Sequence, residues 1–179
     1  KILELVKNIG CNTIRCWGGN VYEDHEFFDF CDQNGIIVWQ DFALACGIYP
    51  QDDDFCKKVS VEVQTIVKRL RQHPALCIWA GDNECDIAHA GAWSGLIRNP
   101  NQNRINRQVI PDILKMEDPV RPYLPSSPYI DEVAFNKGLE YLPEDHLWGP
   151  RDYFKSSYYK NSLSHFASEI GYHGCAAPK

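Results

Sequence analysis

Short apolar runs alternate with amphipathic stretches along this chain, and that alternation restricts the possible folds more than any other feature. The run "NTIRCWG" (12–18) is followed by "DHEFFDFCDQNG" (24–35), which reads as a helix that Asp24 caps and Gly35 ends. "IIVWQDF" (36–42) is continuous and β-branched, as in a strand buried on both faces. "DDDFCKKVSVEVQTIVKRLRQHP" (52–74) places Phe55, Val59, Val63, Ile66, Val67 and Leu70 on one helical face. Its acidic start (Asp52, Asp53, Asp54) and basic end (Lys68, Arg69, Arg71) suit the helix macrodipole, so the triplet is a helix start rather than a ligand site. "ALCIWAG" (75–81) is the next strand, and residues 105–116 are helical with a kink at Pro111. "YLPSS" (123–127), "HLWG" (146–149) and "SHFASEIG" (164–171) read as three further strands or strand ends. The turn-rich stretch 125–143 reads as loop and weak helix. At the start, "KILELVKNIG" is already helical, with Ile2, Leu5, Val6 and Ile9 on one face and Gly10 as a stop.

Buried strands separated by helices predict a parallel α/β fold, either an open doubly wound sheet or a closed (β/α)8 barrel. No G-x-G-x-x-G follows the first strand, which weakens the dinucleotide-binding version.

The carboxyl ends of the predicted strands share a composition that their middles lack. They carry Arg15, Trp17, Gly18 and Gly19; Trp39, Gln40 and Asp41; Asp82, Asn83 and Glu84; Ser126 and Ser127; His146 and Trp148; Ser168 and Glu169. Each has an ordinary structural explanation when taken alone. Asp41 would cap a following segment, Gly18 and Gly19 would make a turn, Ser126 and Ser127 would be turn residues, and Asp82 and Asp86 would be solvated loop acids. Trp17, Trp39 and Trp148 would fill the core. Together, however, they line one side of a parallel sheet, where α/β enzymes keep their chemistry. Glu84 and Glu169 each end an apolar run, and a pair of carboxylates across a pocket is what glycoside cleavage needs. Asn83 is placed to bind a sugar hydroxyl, and His146 to bind a substrate or a carboxylate.

The net charge of -6 and pI near 5.5 argue against nucleic acid or an anionic membrane as a partner. Several of the eight cysteines, Cys11, Cys16, Cys46 and Cys77 among them, sit in or beside apolar runs. There they read as small hydrophobes in a reduced, cytoplasmic protein rather than as disulfides. Cys85/His89 and His173/Cys175 are closely spaced, but no four-ligand pattern appears, so neither a metal nor any other cofactor is expected.

The segments "NTIRCWGGNVYEDHEFFDFCDQNGIIVWQDF", "RLRQHPALCIWAGDNE" and "FASEIGY" resemble the catalytic domain of glycoside hydrolase family 2, and within it the β-mannosidase branch. The resemblance runs nearly end to end, with the motifs in family order. It implies a retaining exo-glycosidase on a (β/α)8 barrel, of which residues 1–179 would cover about six of the eight strands. The first and last strands and the flanking sandwich domains would lie outside the chain. It also implies Glu84 as general acid/base and Glu169 as nucleophile. Trp17, Asp41, Asn83, Trp93, His146 and Trp148 would line the sugar pocket, and a β-linked glycoside would be the partner. An open barrel edge would leave room for self-association. In a double displacement the two carboxyl groups lie about 5–5.5 Å apart, and the acid/base has a raised pKa. One departure stands out: the family usually shows Gly-Asn-Asn-Glu, whereas this chain has Gly81-Asp82-Asn83-Glu84.

Overall fold

A computed structural model describes residues 1–150 and 155–171. Tyr172, at the end of the third motif, and the His173/Cys175 pair lie outside the described residues.

The elements follow the predicted alternation. Helix α1 (Ile2–Asn8) precedes strand β1 (Thr13–Cys16), helix α2 (His25–Asn34) and strand β2 (Ile37–Asp41). Helix α3 (Asp53–Leu70), strand β3 (Leu76–Ala80) and the short helix α4 (Cys85–His89) come next. A π-helical segment (Ile105–Val109) runs into α5 (Ile110–Glu117), so the helix predicted from 105 changes winding at Ile110, and Pro111 stands in the first turn of α5. The tail comprises β4 (Tyr123–Leu124), α6 (Glu132–Lys137), β5 (Glu144–Leu147), α7 (Ser157–Lys160) and β6 (Phe166–Ile170). β1 to β4 form a parallel sheet in chain order, and β5 and β6 pair parallel in a second sheet. Among the described residues the fold is therefore α/β with every strand pair parallel. It is divided between two sheets rather than closed into a barrel.

Local chemistry sets the helix ends. The Asp24 side chain accepts from Phe27 N–H (3.2 Å), and Asp52 accepts from Phe55 N–H (3.0 Å). Gly35 takes φ 65°, the left-handed ending that glycine adopts without a Cβ clash. The core lies between the four-stranded sheet and α2, α3 and α5. Val38, Val63, Val67, Leu70, Leu76, Trp79 and Ile110 are buried there, and Phe42 stacks on Trp79 with ring centroids 5.1 Å apart.

Two expectations about burial fail. β2 is not covered on both faces, because Ile37 stays 45% exposed, and in β6 Phe166 and Ile170 lie open. On α1 the apolar residues Ile2, Leu5 and Ile9 face solvent. Phe166 stacks on Trp39 with ring centroids 6.2 Å apart yet stays 55% exposed, so among the described residues the periodicity marks surfaces that are covered only in part. The seven described cysteines carry no disulfide, and Cys11, Cys46 and Cys77 are exposed rather than packed as hydrophobes.

Candidate active site

The parallel strands bring their carboxyl ends to one open pocket of about 960 Å³. Its wall includes Trp17 after β1, Asn83 and Glu84 after β3, Trp93 beyond α4, His146 from β5, Trp148 just after it, and Glu169 from β6. Residues separated by up to 154 positions in the chain thus share one cavity. The three tryptophans are each about half exposed, which leaves their ring faces available to a ligand.

Two tight loops make this convergence possible. A Cβ on Gly18 would come within 2.5 Å of the Leu44 carbonyl oxygen and 2.8 Å of that of Phe42. Gly18 is therefore a point of close backbone approach as well as a turn residue. A Cβ on Gly81 would overlap the Pro125 carbonyl. The next loop carries Glu84 itself at φ 60°, a left-handed conformation that side chains rarely adopt. Its N–H donates to Ser127 O (2.8 Å), and Asn83 N–H donates to Leu44 O (3.0 Å), so the neighbouring strand ends hold the turn in place. Although Glu84 precedes α4, its side chain makes no capping bond and extends into the pocket.

A carboxylate oxygen of Glu84 and one of Glu169 lie within 4.8 Å of each other, with His146 between them. His146 Nδ1 is 2.7 Å from Glu84 Oε1 and 3.5 Å from Glu169 Oε2. Both Glu169 oxygens receive hydrogen bonds: Arg15 Nη1 donates to Oε1 (3.0 Å) and Trp148 Nε1 to Oε2 (3.0 Å). For Glu84, burial works to raise the pKa. The hydrogen bond and charge of His146, aided by the Cys46 thiol and by Arg15, outweigh it and hold the carboxyl below its ordinary value. This reverses the expectation of a raised acid/base pKa. The imidazole of His146, rather than the second carboxylate, dominates around Glu84. The Cys46 thiol, 3.3 Å from Glu84 Oε2, is pushed up to about 11 by partial desolvation at the pocket wall and by Glu84, so it stays a neutral donor although the residue as a whole is exposed.

Asp41 is not where the sequence reading puts it. It does not line the pocket but is sealed beneath Arg15, 1% exposed. Its carboxylate accepts from Arg15 Nη2 (2.8 Å), Trp39 Nε1 (2.8 Å) and Gly18 N–H (3.1 Å). Burial raises its pKa, and the Arg15 charge pulls it back. Arg15 also donates to Asn83 Oδ1 (2.9 Å), so one guanidinium joins four strand ends, β1, β2, β3 and β6. Sequence reasoning noted Arg15 but gave it no role, although a charged residue inside an apolar strand demands a partner. Ser126 and Ser127 do more than turn the chain: Ser127 Oγ bonds Glu144 Oε1 (2.7 Å) and contacts His146 Nε2 (3.1 Å). Asp82 and Asp86, expected as solvated acids, are completely buried.

Among the described residues, two clusters have the donors for a cation, Asp29/Asp32/His73 and Glu84/His146/Glu169. In the second, Arg15 already brings positive charge against Glu169 and lies 3.4 Å from His146 Nε2. Cys85 and His89 form no such cluster; His89 Nδ1 instead pairs with the Cys85 carbonyl (2.8 Å).

No protein-family model matches the chain. It is 34% identical to the β-mannosidase of Bos taurus over 96% of its own length, which is 21% of that protein. To β-mannosidase B of Thermothelomyces thermophilus it is 33% identical, over 93% of the chain and 21% of that protein. Among solved structures, the β-D-mannosidase of Dictyoglomus thermophilum superposes with a TM-score of 0.72 at 38% identity, over 82% of this chain and 18% of that one. The chain thus spans about a fifth of the length of the relatives it matches.

Proposed function

This chain belongs to the β-mannosidase-like catalytic domains of glycoside hydrolase family 2, and from that premise we propose that the protein carrying it is an exo-β-mannosidase that cleaves terminal β-mannosides with net retention. The observation that carries the proposal is the approach of Glu84 and Glu169 to within 4.8 Å across one pocket. That spacing suits direct attack by one carboxylate; the inverting arrangement needs about 6.5–9.5 Å, to admit a water.

In this reading Glu169 attacks the anomeric carbon while Glu84 protonates the departing glycosidic oxygen. Glu84 then takes a proton from water as that water attacks the glycosyl ester and frees Glu169. Arg15 and Trp148 fix the two oxygens of Glu169 and leave the carboxylate aimed at the substrate. His146 bridges the pair and holds Glu84 in place. Trp17, Trp93 and Trp148 offer apolar faces to the sugar, and Asn83 lies beside Glu84 at the same wall. The six parallel strands, in two sheets, are read as part of a (β/α)8 barrel whose mouth is this pocket.

The test is a side-by-side panel of aryl β-mannoside, β-galactoside, β-glucuronide and β-glucosaminide with the complete protein. The expected result is a kcat/KM for the mannoside at least about a hundredfold above the others, since a site built to hydrogen-bond one hydroxyl pattern rejects its epimers strongly. A preference for another glycoside would keep the reaction class but overturn the substrate.

A further inference from the structure

This inference rests on the glycosidase reading above and concerns what holds its acid/base in place. The Asp82 carboxyl has no exposed surface and is met by three donors. Cys85 N–H (2.9 Å) and the Ser126 hydroxyl (2.6 Å) reach Oδ1, and the Asn106 amide reaches Oδ2. The first two bonds brace both sides of the strained turn. Cys85 directly follows Glu84. Ser126 also receives Asp86 N–H (3.3 Å) and adjoins Ser127, whose carbonyl accepts Glu84 N–H. We propose that Asp82 is a positioning residue for Glu84, its carboxyl holding the left-handed turn that aims the acid/base into the pocket.

Asp82 does this without a cation of its own. From α4 it faces Cys85 and Asp86, from the π-helical segment Asn106, and from the β4 side Tyr123 and Ser126; Tyr49 and, beyond Asp86, Arg107 complete the set. The one positive charge in that set, Arg107, gives its Nη2 to Asp86 (2.6 Å). Arg15 is committed to Asp41, Asn83 and Glu169. Burial, then the Asp86 charge, push the Asp82 carboxyl up to about 7 against its three hydrogen bonds. The Ser126 contact suits either state, since the hydroxyl donates to the carboxylate or accepts from the neutral acid. An amide in place of Asp82 keeps the Cys85 and Ser126 bonds. Its NH2 then faces Asn106, whose partnerless Oδ1 becomes an acceptor once that amide turns over.

The test compares Asp82→Asn and Asp82→Ala with wild type in the complete protein. With its pKa raised in the folded state, wild-type Asp82 gives stability that is present at low pH and lost as pH rises toward 7; asparagine does not titrate. The ratio of folding equilibrium constants, Asp82→Asn over wild type, should therefore rise about tenfold or more between pH 5 and pH 7, read from denaturant midpoints. On an aryl β-mannoside, Asp82→Asn should keep kcat within about threefold. Asp82→Ala should lose about a hundredfold in kcat with little change in KM, the signature of a misaimed group. Three results would overturn the proposal: a flat stability ratio, full kcat in the alanine variant, or an equal fall in both variants. Should the alanine variant not fold, the asparagine variant decides through its kcat and its stability ratio. An inactive wild type would refute the glycosidase reading instead, and the stability comparison needs no turnover.

Discussion

Replacing Glu169 by alanine in the complete protein should lower hydrolysis of an aryl β-mannoside at least about a thousandfold, with the fold retained. Alanine removes the only atom proposed to bond the anomeric carbon and leaves Arg15 and Trp148 without the acceptors they now hold at 3.0 Å. Glu84 and His146 remain, but protonating a leaving group does not by itself form the glycosyl ester on which retention depends. A variant that keeps more than about a thousandth of the original rate would show that Glu169 is not the nucleophile.

The second large effect is expected at Arg15, in stability as well as rate. Arg15→Met should cost about 3–5 kcal/mol, because it strands the Asp41 carboxylate, which has no exposed side-chain surface. It also frees Glu169 Oε1 and Asn83 Oδ1, so activity should fall even in the folded fraction. Adding Asp41→Leu to Arg15→Met should restore much of the stability, since a buried ion pair is often replaceable by apolar residues, yet restore no activity. Denaturant unfolding and rates per folded molecule separate the two. Stability and activity recovering together would mean that Arg15 acts only as a structural counter-ion.

The parts legible in the sequence are those decided locally. Asp24 and Asp52 cap their helices because an Asx side chain and the amide three residues on need no distant partner. The polar strand ends were readable too, because their contrast with apolar middles survives without coordinates. What stayed hidden depends on packing across strands. Nothing near Asp41 in the chain shows that Arg15, 26 positions earlier, covers it. Nor does the run around Asp82 reveal that Ser126 and Asn106 enclose it, so two buried acids read as solvated ones. Gly18 looked like a turn residue because the carbonyls of Phe42 and Leu44 that exclude a side chain come from another loop. The apolar faces of α1 and β6 were legible but their exposure was not, since periodicity marks a surface to be covered without saying what covers it.

The most direct measurement is to trap the intermediate. The complete protein would be inactivated with a 2-deoxy-2-fluoro-β-mannoside bearing an activated leaving group, digested with protease and mapped by mass spectrometry. The proposed double displacement predicts one glycosyl group esterified to Glu169, with the β-configured product released when turnover resumes. An adduct on any other residue, or release of the inverted product with no adduct, would contradict it.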